Sequence, residues 1–284
     1  MPELPEVETI VTDLKKLISG LKITNVWSDI PAFQKIKKKI VGRKILGIER
    51  KGKNILIGLN QDKTLLVHQK MTGHLMYGKW KRENGAWRSI LPGPMRDDPE
   101  NRFIHLIFFL SNGRQLALCD MRKFAKVVIL LTKKILEGLK ELGPDPFDKN
   151  LNFKNFKEKI NSKQGKIKSV LMDQTVIAGI GNIYSDEILW LAGIHPLKKA
   201  ADLKEKELKK IYLAIKPVLK KAISARGSSY IDYRDAGGKK GRYQEMQNAY
   251  GQEGEKCKKR DGGIIKRIKI GSRSARFCPI HQKL

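Results

Sequence analysis

Residues 173–187, DQTVIAGIGNIYSDE, decide how the second half of the chain folds. Apolar residues recur at helical spacing on both sides of a short segment that contains two glycines, residues 179–182. Glycine permits tight turns and close backbone approaches, and the free amides that open a helix can receive a phosphate. The stretch therefore predicts helices over residues 168–178 and 183–192, with Asn182 as an additional side-chain donor where the second begins.

Away from this stretch the periodicity divides the chain into two halves. Further helices are predicted near residues 153–160 and 208–223, with a kink at Pro217, and residues 227–243 form a polar, basic loop. Upstream, a helix that stops at Gly20 precedes short runs rich in Ile, Val and Leu, separated by turn signals, which predict an antiparallel sandwich or barrel. The predicted strands are residues 23–27, 44–48, 55–59, 65–68, 104–110, 115–118 and 127–130, and Gly262-Gly263 with residues 264–270 predicts a hairpin module.

The charge points to an anionic partner. The chain has 284 residues, 58 Lys and Arg against 29 Asp and Glu, and a formal net charge of +29. With 40% hydrophobic residues it can bury a core, which excludes a disordered basic tail. Its apolar runs are too short to span a bilayer, and its three cysteines give no disulfide framework, which fits a reducing compartment. Two basic blocks, residues 31–60 and 251–284, are typical of a nucleic-acid-binding cleft.

The first residues contain a candidate nucleophile. Removal of Met1 would expose Pro2 as a secondary amine, and a terminal amine has a pKa of roughly 7.7–8. Such an amine can attack an aldehydic carbon and form an iminium, with Glu3 as a proton shuttle. Without further context, the ordinary interpretation of Pro2 as a second residue with no role in catalysis is the favoured one.

Five segments together resemble the formamidopyrimidine-DNA glycosylase family. They are MPELPEVET (1–9), RKGKNIL (50–56), HQKMTGHL (68–75), DMRKF (120–124) and the stretch at 173–187. The resemblance implies an α+β fold: an N-terminal helix with an antiparallel β-sandwich, a helix–two-turns–helix domain and a zinc-finger-like β-hairpin. The implied domains are residues 1–133, a linker at 134–150, 151–248 with a lesion-capping loop, and 249–284.

The resemblance also implies a role for each matching residue. Pro2 would attack the sugar C1′, Glu3 would protonate the sugar oxygen, Glu6 would order the site and Lys53 would contact the phosphate and the lesion. Side chains that fill the gap left by a flipped nucleotide or bind DNA beside it would be Met71, Arg122, Lys123 and Phe124. Phosphate contacts would come from Gly181, Asn182 and Arg273, and the lesion would be capped by Ser228, Ser229 and Tyr230.

The C-terminal finger departs from the family pattern of two Cys-x2-Cys pairs. Cys257, Cys278 and His281 are candidate ligands, but Arg260 stands where the fourth belongs and cannot coordinate a metal. Asp261 is one residue out of register. Because structural zinc sites have four protein ligands, we expect no tight zinc binding and a folded hairpin whose DNA binding survives a chelator. No cofactor is expected for the chemistry.

Together with the resemblance, these observations predict a monomeric, cytoplasmic, nucleoid-associated enzyme that acts on damaged double-stranded DNA. No association with a membrane is expected. The resemblance implies that the enzyme removes oxidised purines, namely 8-oxoguanine and formamidopyrimidines, and cleaves the strand by β,δ-elimination through a Schiff base on Pro2. One alternative is an endonuclease VIII-like glycosylase for oxidised pyrimidines, against which the set Met71, Arg122 and Phe124 argues. The other is a non-catalytic nucleic-acid-binding protein that keeps the fold, against which the intact Pro2-Glu3 argues.

Overall fold

The computed structural model describes residues 1–149 and 151–284, which form two compact units. The first unit comprises Met1–Lys140 and Ala225–Arg242, and the second comprises Glu141–Ser224 and Tyr243–Leu284. The segment 225–242 therefore groups with the N-terminal half of the chain. The domain boundaries implied by the sequence stay predictions, and the last residue of the predicted linker lies outside the described residues.

The first unit is a helix followed by two antiparallel sheets, as predicted. Its helices and strands are α1 (Leu4–Ile18), β1 (Ile23–Ser28), α2 (Pro31–Gln34), α3 (Lys37–Ile40), β2 (Ile45–Lys51), β3 (Asn54–Leu59), β4 (Lys63–His68), β5 (His74–Gly78), β6 (Trp80–Glu83), β7 (Ala86–Ser89), α4 (Pro94–Asp97), β8 (Ile104–Leu110), β9 (Gln115–Cys119), β10 (Lys126–Leu131) and α5 (Thr132–Gly138). The sheet orders are β1-β8-β9-β5 and β10-β4-β3-β2, with β6-β7 as a separate hairpin. Strands β5–β7 and the one-turn helices escaped the sequence analysis because segments this short carry little periodicity.

The β10-β4-β3-β2 sheet has two ends, which we call the proximal end and the distal end. At one end, the proximal end, the register aligns Lys51 with Asn54, Asn54 with His68, and His68 with Lys126. At the other, the distal end, Ile45 aligns with Leu59 and Leu59 with Lys63.

Helix α1 runs along the sandwich between these ends and buries its apolar face, including Val7, Ile10, Val11, Leu14 and Ile18. Glu8, in the first half of α1, pairs with Arg50 at 2.5 Å near the proximal end of β2. Just after α1, the Gly20 amide donates to the Ile45 carbonyl at 2.8 Å at the distal end. The helix therefore begins near the proximal end and finishes at the distal end.

The second unit is a set of helices followed by a hairpin. Its elements are α6 (Phe153–Asn161), α7 (Ile167–Met172), α8 (Asn182–Ala192), α9 (Glu205–Ser224), β11 (Lys266–Ile270) and β12 (Arg273–Phe277). Single 3-10 turns lie at Pro99–Arg102 in the first unit and at Ala200–Asp202 and Tyr243–Met246 in the second. None of the helices in the described part of the chain is long and apolar enough to cross a membrane.

Two predictions for the second unit were wrong in detail. The helix expected over 168–178 ends at Met172, because the Asp173 carboxylate accepts from the Thr175 amide at 2.9 Å and turns the chain. The hairpin turns at Gly271, whereas Gly262-Gly263 belongs to the preceding cysteine-bearing loop. Helix α9 continues through Pro217, and a kink there stays a prediction.

Candidate functional site

The three N-terminal candidates lie at the start of α1, where Glu3 and Glu6 are hydrogen-bonded to each other. Pro2 is buried, whereas Met1 is 41% exposed. The buried carboxylate of Glu6 accepts the Glu3 amide at 2.8 Å, and the Glu3 side chain accepts the Glu6 amide in return, which forms a capping box. These contacts fix the backbone next to Pro2.

Glu6 also connects α1 to the segment predicted to cap the lesion. Its second carboxylate oxygen accepts the Ser228 amide at 2.8 Å. Gly227 has φ +79°, and a Cβ atom there would lie 2.7 Å from that same oxygen, so only glycine fits this turn. Ser229 Oγ donates to the Tyr233 carbonyl at 2.6 Å and accepts from the Gly241 amide at 2.9 Å.

The tip of this segment is exposed to solvent, whereas the residues on both sides of the tip are held by hydrogen bonds and ion pairs. Tyr230 and Ile231 are 47% and 66% exposed. Arg234 is almost fully buried and contacts the Asp98 carboxylate through two nitrogens at 2.6 and 2.9 Å. The sequence analysis did not single out Asp98 or Arg234, because 136 residues separate them.

Lys53 lies at the proximal end, in the two-residue turn between β2 and β3. Gly52 supplies the positive φ that this turn needs, and Lys53 is buried rather than extended into solvent. Near Lys53, burial lowers the pKa of His68 to about 4, and the ammonium groups of Lys70 and Lys53 lower it further. His68 is therefore neutral at physiological pH, and it is a polar group of this site that sequence reasoning missed.

Asp120 and Thr72 tie together the two loops predicted to enter DNA. Asp120 accepts a hydrogen bond from the Thr72 hydroxyl and another from the Ala125 amide at 2.7 Å. The same hydroxyl accepts from the Arg122 amide at 3.1 Å. In each loop one lysine, Lys70 or Lys123, has a positive φ near 56°, a conformation that a non-glycine residue adopts only when its surroundings enforce it.

Three of the four candidate DNA-binding side chains on these loops are exposed. Phe124 is 52% exposed, and the Arg122 guanidinium lies 4.6 Å from the centre of its ring. Met71 is half-buried, and Lys123 is exposed. Because His68 and Lys126 are aligned in the sheet, both loops leave the sandwich at the proximal end, where Lys53 also lies.

In the second unit, the segment between α7 and α8 forms the predicted turns. Gln174 organises them, since its side chain accepts the Gly179 amide at 2.9 Å and donates to the Ile180 carbonyl at 2.8 Å. Gly181 caps α8, and Asn182 is the first residue of that helix. Within the described residues, Asn182 Oδ1 is buried without a hydrogen-bond partner.

A buried ion pair joins the start of α8 to the C-terminal hairpin. Lys168 Nζ lies 2.6 Å from both the Asp186 carboxylate and the Ser274 carbonyl, and 3.5 Å from the Asn182 carbonyl. Asp186 also accepts the Arg276 amide at 3.1 Å. The exposed Arg273 begins β12, so the pair fixes the backbone beside two predicted phosphate contacts, Asn182 and Arg273.

The loop before the hairpin and the chain after it form a possible metal site with four ligands. One ligand atom each from Cys257, Asp261, Cys278 and His281 lies within 4.8 Å of the others. Cys257 Sγ lies 3.7 Å from His281 Nδ1, and Cys278 Sγ lies 3.4 Å from Asp261 Oδ2. Zinc bonds of about 2.0–2.3 Å in tetrahedral geometry impose ligand separations close to these. The expectation of an incomplete site is therefore corrected, because Asp261 is a fourth donor.

The local backbone explains how Asp261 reaches the cluster although it is one residue out of register. Arg260 adopts a left-handed conformation with φ 55°, which turns the chain so that the next side chain points inward. A Cβ atom on Gly263 would lie 2.3 Å from Cys278 Sγ, so a glycine leaves room for the sulfur. His281 Nε2 lies 3.2 Å from the Trp190 carbonyl, the contact expected of a histidine that ligates through Nδ1.

The comparisons with known proteins cover the whole chain. The family model described as formamidopyrimidine-DNA glycosylase N-terminal domain matches residues 1–127, and the one described as formamidopyrimidine-DNA glycosylase H2TH domain matches residues 142–233. The formamidopyrimidine-DNA glycosylase of Pelotomaculum thermopropionicum is 39% identical over 292 residues and that of Desulforamulus reducens 38% identical over 296. All of this chain is covered in both, with 100% and 99% of the relatives.

Solved structures agree with this match. A complex between the Lactococcus lactis Fpg and abasic-site DNA has a TM-score of 0.86 at 35% identity and covers 99% of this chain and all of that one. A complex of a Lactococcus lactis Fpg mutant with Fapy-dG-containing DNA has a TM-score of 0.86 at 34% identity, with all of both chains covered.

A β-sandwich that begins with a buried Pro-Glu pair, in one chain with a helix–two-turns–helix unit and a C-terminal hairpin, defines a DNA glycosylase of the helix–two-turns–helix class. The α+β fold class expected from the sequence is confirmed. The chain belongs to the formamidopyrimidine-DNA glycosylase family.

Proposed function

We propose that this protein is a bifunctional DNA glycosylase and AP lyase that removes oxidised purines from double-stranded DNA. The observation that carries the proposal is the Pro2-Glu3-Glu6 arrangement at the start of α1, in a chain whose relatives bear this enzyme's name over their full length. The Lactococcus lactis structures contain DNA with an abasic site or with Fapy-dG, which supports the purine branch over the pyrimidine alternative. We also propose a cytoplasmic location, since the relatives of the same name come from bacteria.

In the proposed mechanism the nitrogen of Pro2, freed by removal of Met1, attacks the sugar C1′. The C1′–N bond breaks, and the base leaves with its bonding electrons and takes up the proton that the Pro2 nitrogen loses. Glu3 protonates the sugar ring oxygen as the ring opens, and the product is an iminium that permits elimination of the phosphates. Glu6 acts as a positioning residue, since its carboxylate holds the amides of Glu3 and Ser228.

The proposed DNA contacts are assigned within each unit separately. In the first unit, Met71, Arg122 and Phe124 fill the vacated space, Lys123 and Lys53 contact the backbone, and the tip formed by Ser228, Ser229 and Tyr230 covers the base. Extrusion costs a few kcal/mol, and these wedge and capping contacts offset part of that cost. In the second unit, phosphates contact Asn182 and Arg273, with the amide of Asn182 opening α8 behind Gly181.

Single-turnover excision and borohydride trapping test the assignment. Wild-type protein is expected to release 8-oxoguanine and formamidopyrimidine bases from duplexes faster than thymine glycol. Pro2→Gly keeps weak trapping through its primary amine, whereas Glu3→Gln binds DNA but releases no base. If the wild-type protein binds damaged duplexes but neither releases a base nor is trapped by borohydride, the non-catalytic alternative is correct.

We further propose that Cys257, Asp261, Cys278 and His281 hold one zinc ion that stabilises the hairpin. Base removal is assigned to Pro2 and Glu3, so the metal has a structural role. Because a carboxylate and an imidazole replace two of the four thiolates in the family's ligand set, zinc is expected to exchange more readily than from a four-cysteine site.

Elemental analysis of the purified protein tests this site, and Co²⁺ absorption gives a second readout. Asp261→Ala is expected to lose the metal, whereas Arg260→Gly, which suits the left-handed backbone there, keeps it. Equal zinc content in both variants rejects Asp261 as a ligand.

A further inference from the structure

A second basic surface covers the distal end of the first unit. It is formed by the last turns of α1, by helix α3, and by residues just before β1, α3 and β2. We call it the distal basic surface, and its members are Lys15, Lys16, Lys22, Lys35, Lys37, Lys38, Lys39, Arg43 and Lys44. All of them are exposed except Arg43, which is half-buried.

Backbone contacts join these segments into one continuous surface. Lys22 and Lys44 form an antiparallel bridge, and the Ile23 amide donates to the Arg43 carbonyl at 2.9 Å. The Arg43 side chain donates to the Lys39 carbonyl at 2.5 Å, which holds α3 against the same edge. The bases therefore share one end of the sandwich although they come from separate stretches of the chain.

The charges of this surface are not neutralised by the fold. No ion pair among the described residues involves its lysines. Lys15 and Lys16 lie in the last turn of α1, where the helix dipole favours cations. Lys37, Lys38 and Lys39 belong to α3, which is a single turn of four residues and has a correspondingly small dipole. At its edge Gln61 accepts from Arg43 at 2.8 Å, and the following Asp62 is an acid beside it. So many like charges favour binding of a polyanion.

The distal basic surface and the proposed active site lie at opposite ends of α1. Helix α1 has 15 residues, which makes it about 22 Å long, and Pro2 lies at its other end. That separation is more than twice the Debye length of about 8 Å at physiological salt. The distal basic surface therefore adds little to the attraction of a phosphate at the proximal end.

We propose that the distal basic surface binds the phosphate backbone of a second duplex while a first is held at the Pro2 end, so that the enzyme passes directly from one DNA segment to another. The inference rests on the proposed function, which places the first duplex. Duplex DNA presents one charge per about 1.7 Å, and flexible lysines suit contacts that do not depend on sequence. The proposed substrate, duplex DNA, is a long polyanion, and this charge pattern fits a second segment of it as the partner.

Dissociation kinetics test the proposal. The protein is bound to a labelled duplex with a non-cleavable abasic analogue, and unlabelled undamaged duplex is added at rising concentration. If transfer is direct, the observed dissociation rate of the wild type rises in proportion to the competitor. In the variant Lys37→Gln, Lys38→Gln, Lys39→Gln the slope is expected to fall at least about tenfold, because three phosphate contacts are lost. Affinity for the labelled duplex and single-turnover excision stay within about twofold, because the surface is screened from the first duplex.

A matched control removes the same charge elsewhere. The exposed lysines changed in Lys206→Gln, Lys220→Gln, Lys221→Gln lie on α9 in the second unit, and this variant is expected to keep the wild-type slope. The proposal is overturned if the dissociation rate of the wild type does not depend on competitor concentration. It is also overturned if the variant with three substitutions in α3 retains the wild-type slope. Phosphatidylserine vesicles that release the labelled duplex as effectively as DNA would assign the surface to a membrane instead. Normal excision beside a flat slope refutes only this inference, whereas absent excision refutes the proposed function.

Discussion

The buried pair Lys168–Asp186 is expected to be essential for the second unit, and Lys168→Met tests this directly. Both side chains are 1% exposed or less. Burial raises the pKa of the Asp186 carboxyl, and the neighbouring Lys168 ammonium opposes that rise. Removing the lysine leaves an uncompensated acid and takes the donor away from the Ser274 and Asn182 carbonyls. Loss of one partner of a buried pair costs about 3–5 kcal/mol.

Hydrogen exchange read by mass spectrometry on peptides of α7 and α8 measures this cost without contributions from the first unit. A loss of about 3 kcal/mol corresponds to roughly a hundredfold faster exchange in these peptides. The double variant Lys168→Met, Asp186→Asn removes both charges while an oxygen still accepts the Arg276 amide, so it is expected to recover most of the stability. The reasoning is refuted if the single variant exchanges within about threefold of wild type, or if the double variant is no better than the single.

Three further results are expected. Arg273→Gln lowers the magnitude of the slope of log K against log salt by about one, for any sequence or lesion, because one phosphate contact is lost. The pKa of buried His74 is held at about 4, so the unfolding free energy falls by up to about 3 kcal/mol as the pH drops from 6.5 towards 4, and His74→Gln flattens this dependence in urea titrations. Asp120→Ala frees Thr72 and loosens both proximal loops, so base flipping followed by 2-aminopurine fluorescence weakens about tenfold, from roughly 1–2 kcal/mol of lost hydrogen bonds.

Local patterns in the sequence were sufficient for most of the longer elements, but not for the shortest ones or for the contacts between elements. The apolar spacing of α1 was predicted, and the start of α8 was predicted to within one residue, at 183 rather than at Asn182, because each depends on neighbouring residues. The hairpin turn was misplaced because Gly262-Gly263 and Gly271 are equally good turn signals, and pairing across the strands decides between them.

The metal site shows why a spacing rule can miss a ligand. The rule places the fourth donor at Arg260, and the left-handed backbone of that residue shifts the role to Asp261. Asp98 and Arg234 likewise gave no signal, since nothing local marks a contact over such a separation. The chemistry at Pro2 came from the motif, because a buried proline beside two glutamates has no distinctive pattern of its own.

The identity of the covalently bound nitrogen tests the account most directly. Wild-type protein is reduced with borohydride on a duplex with an abasic site, digested, and its peptides are analysed by mass spectrometry. The account predicts that the sugar fragment is attached to the nitrogen of Pro2, in molecules from which Met1 has been removed, and that protein retaining Met1 is not trapped. An adduct on Lys53 or on another lysine, or trapping at the normal yield with Met1 in place, would contradict the proposed mechanism.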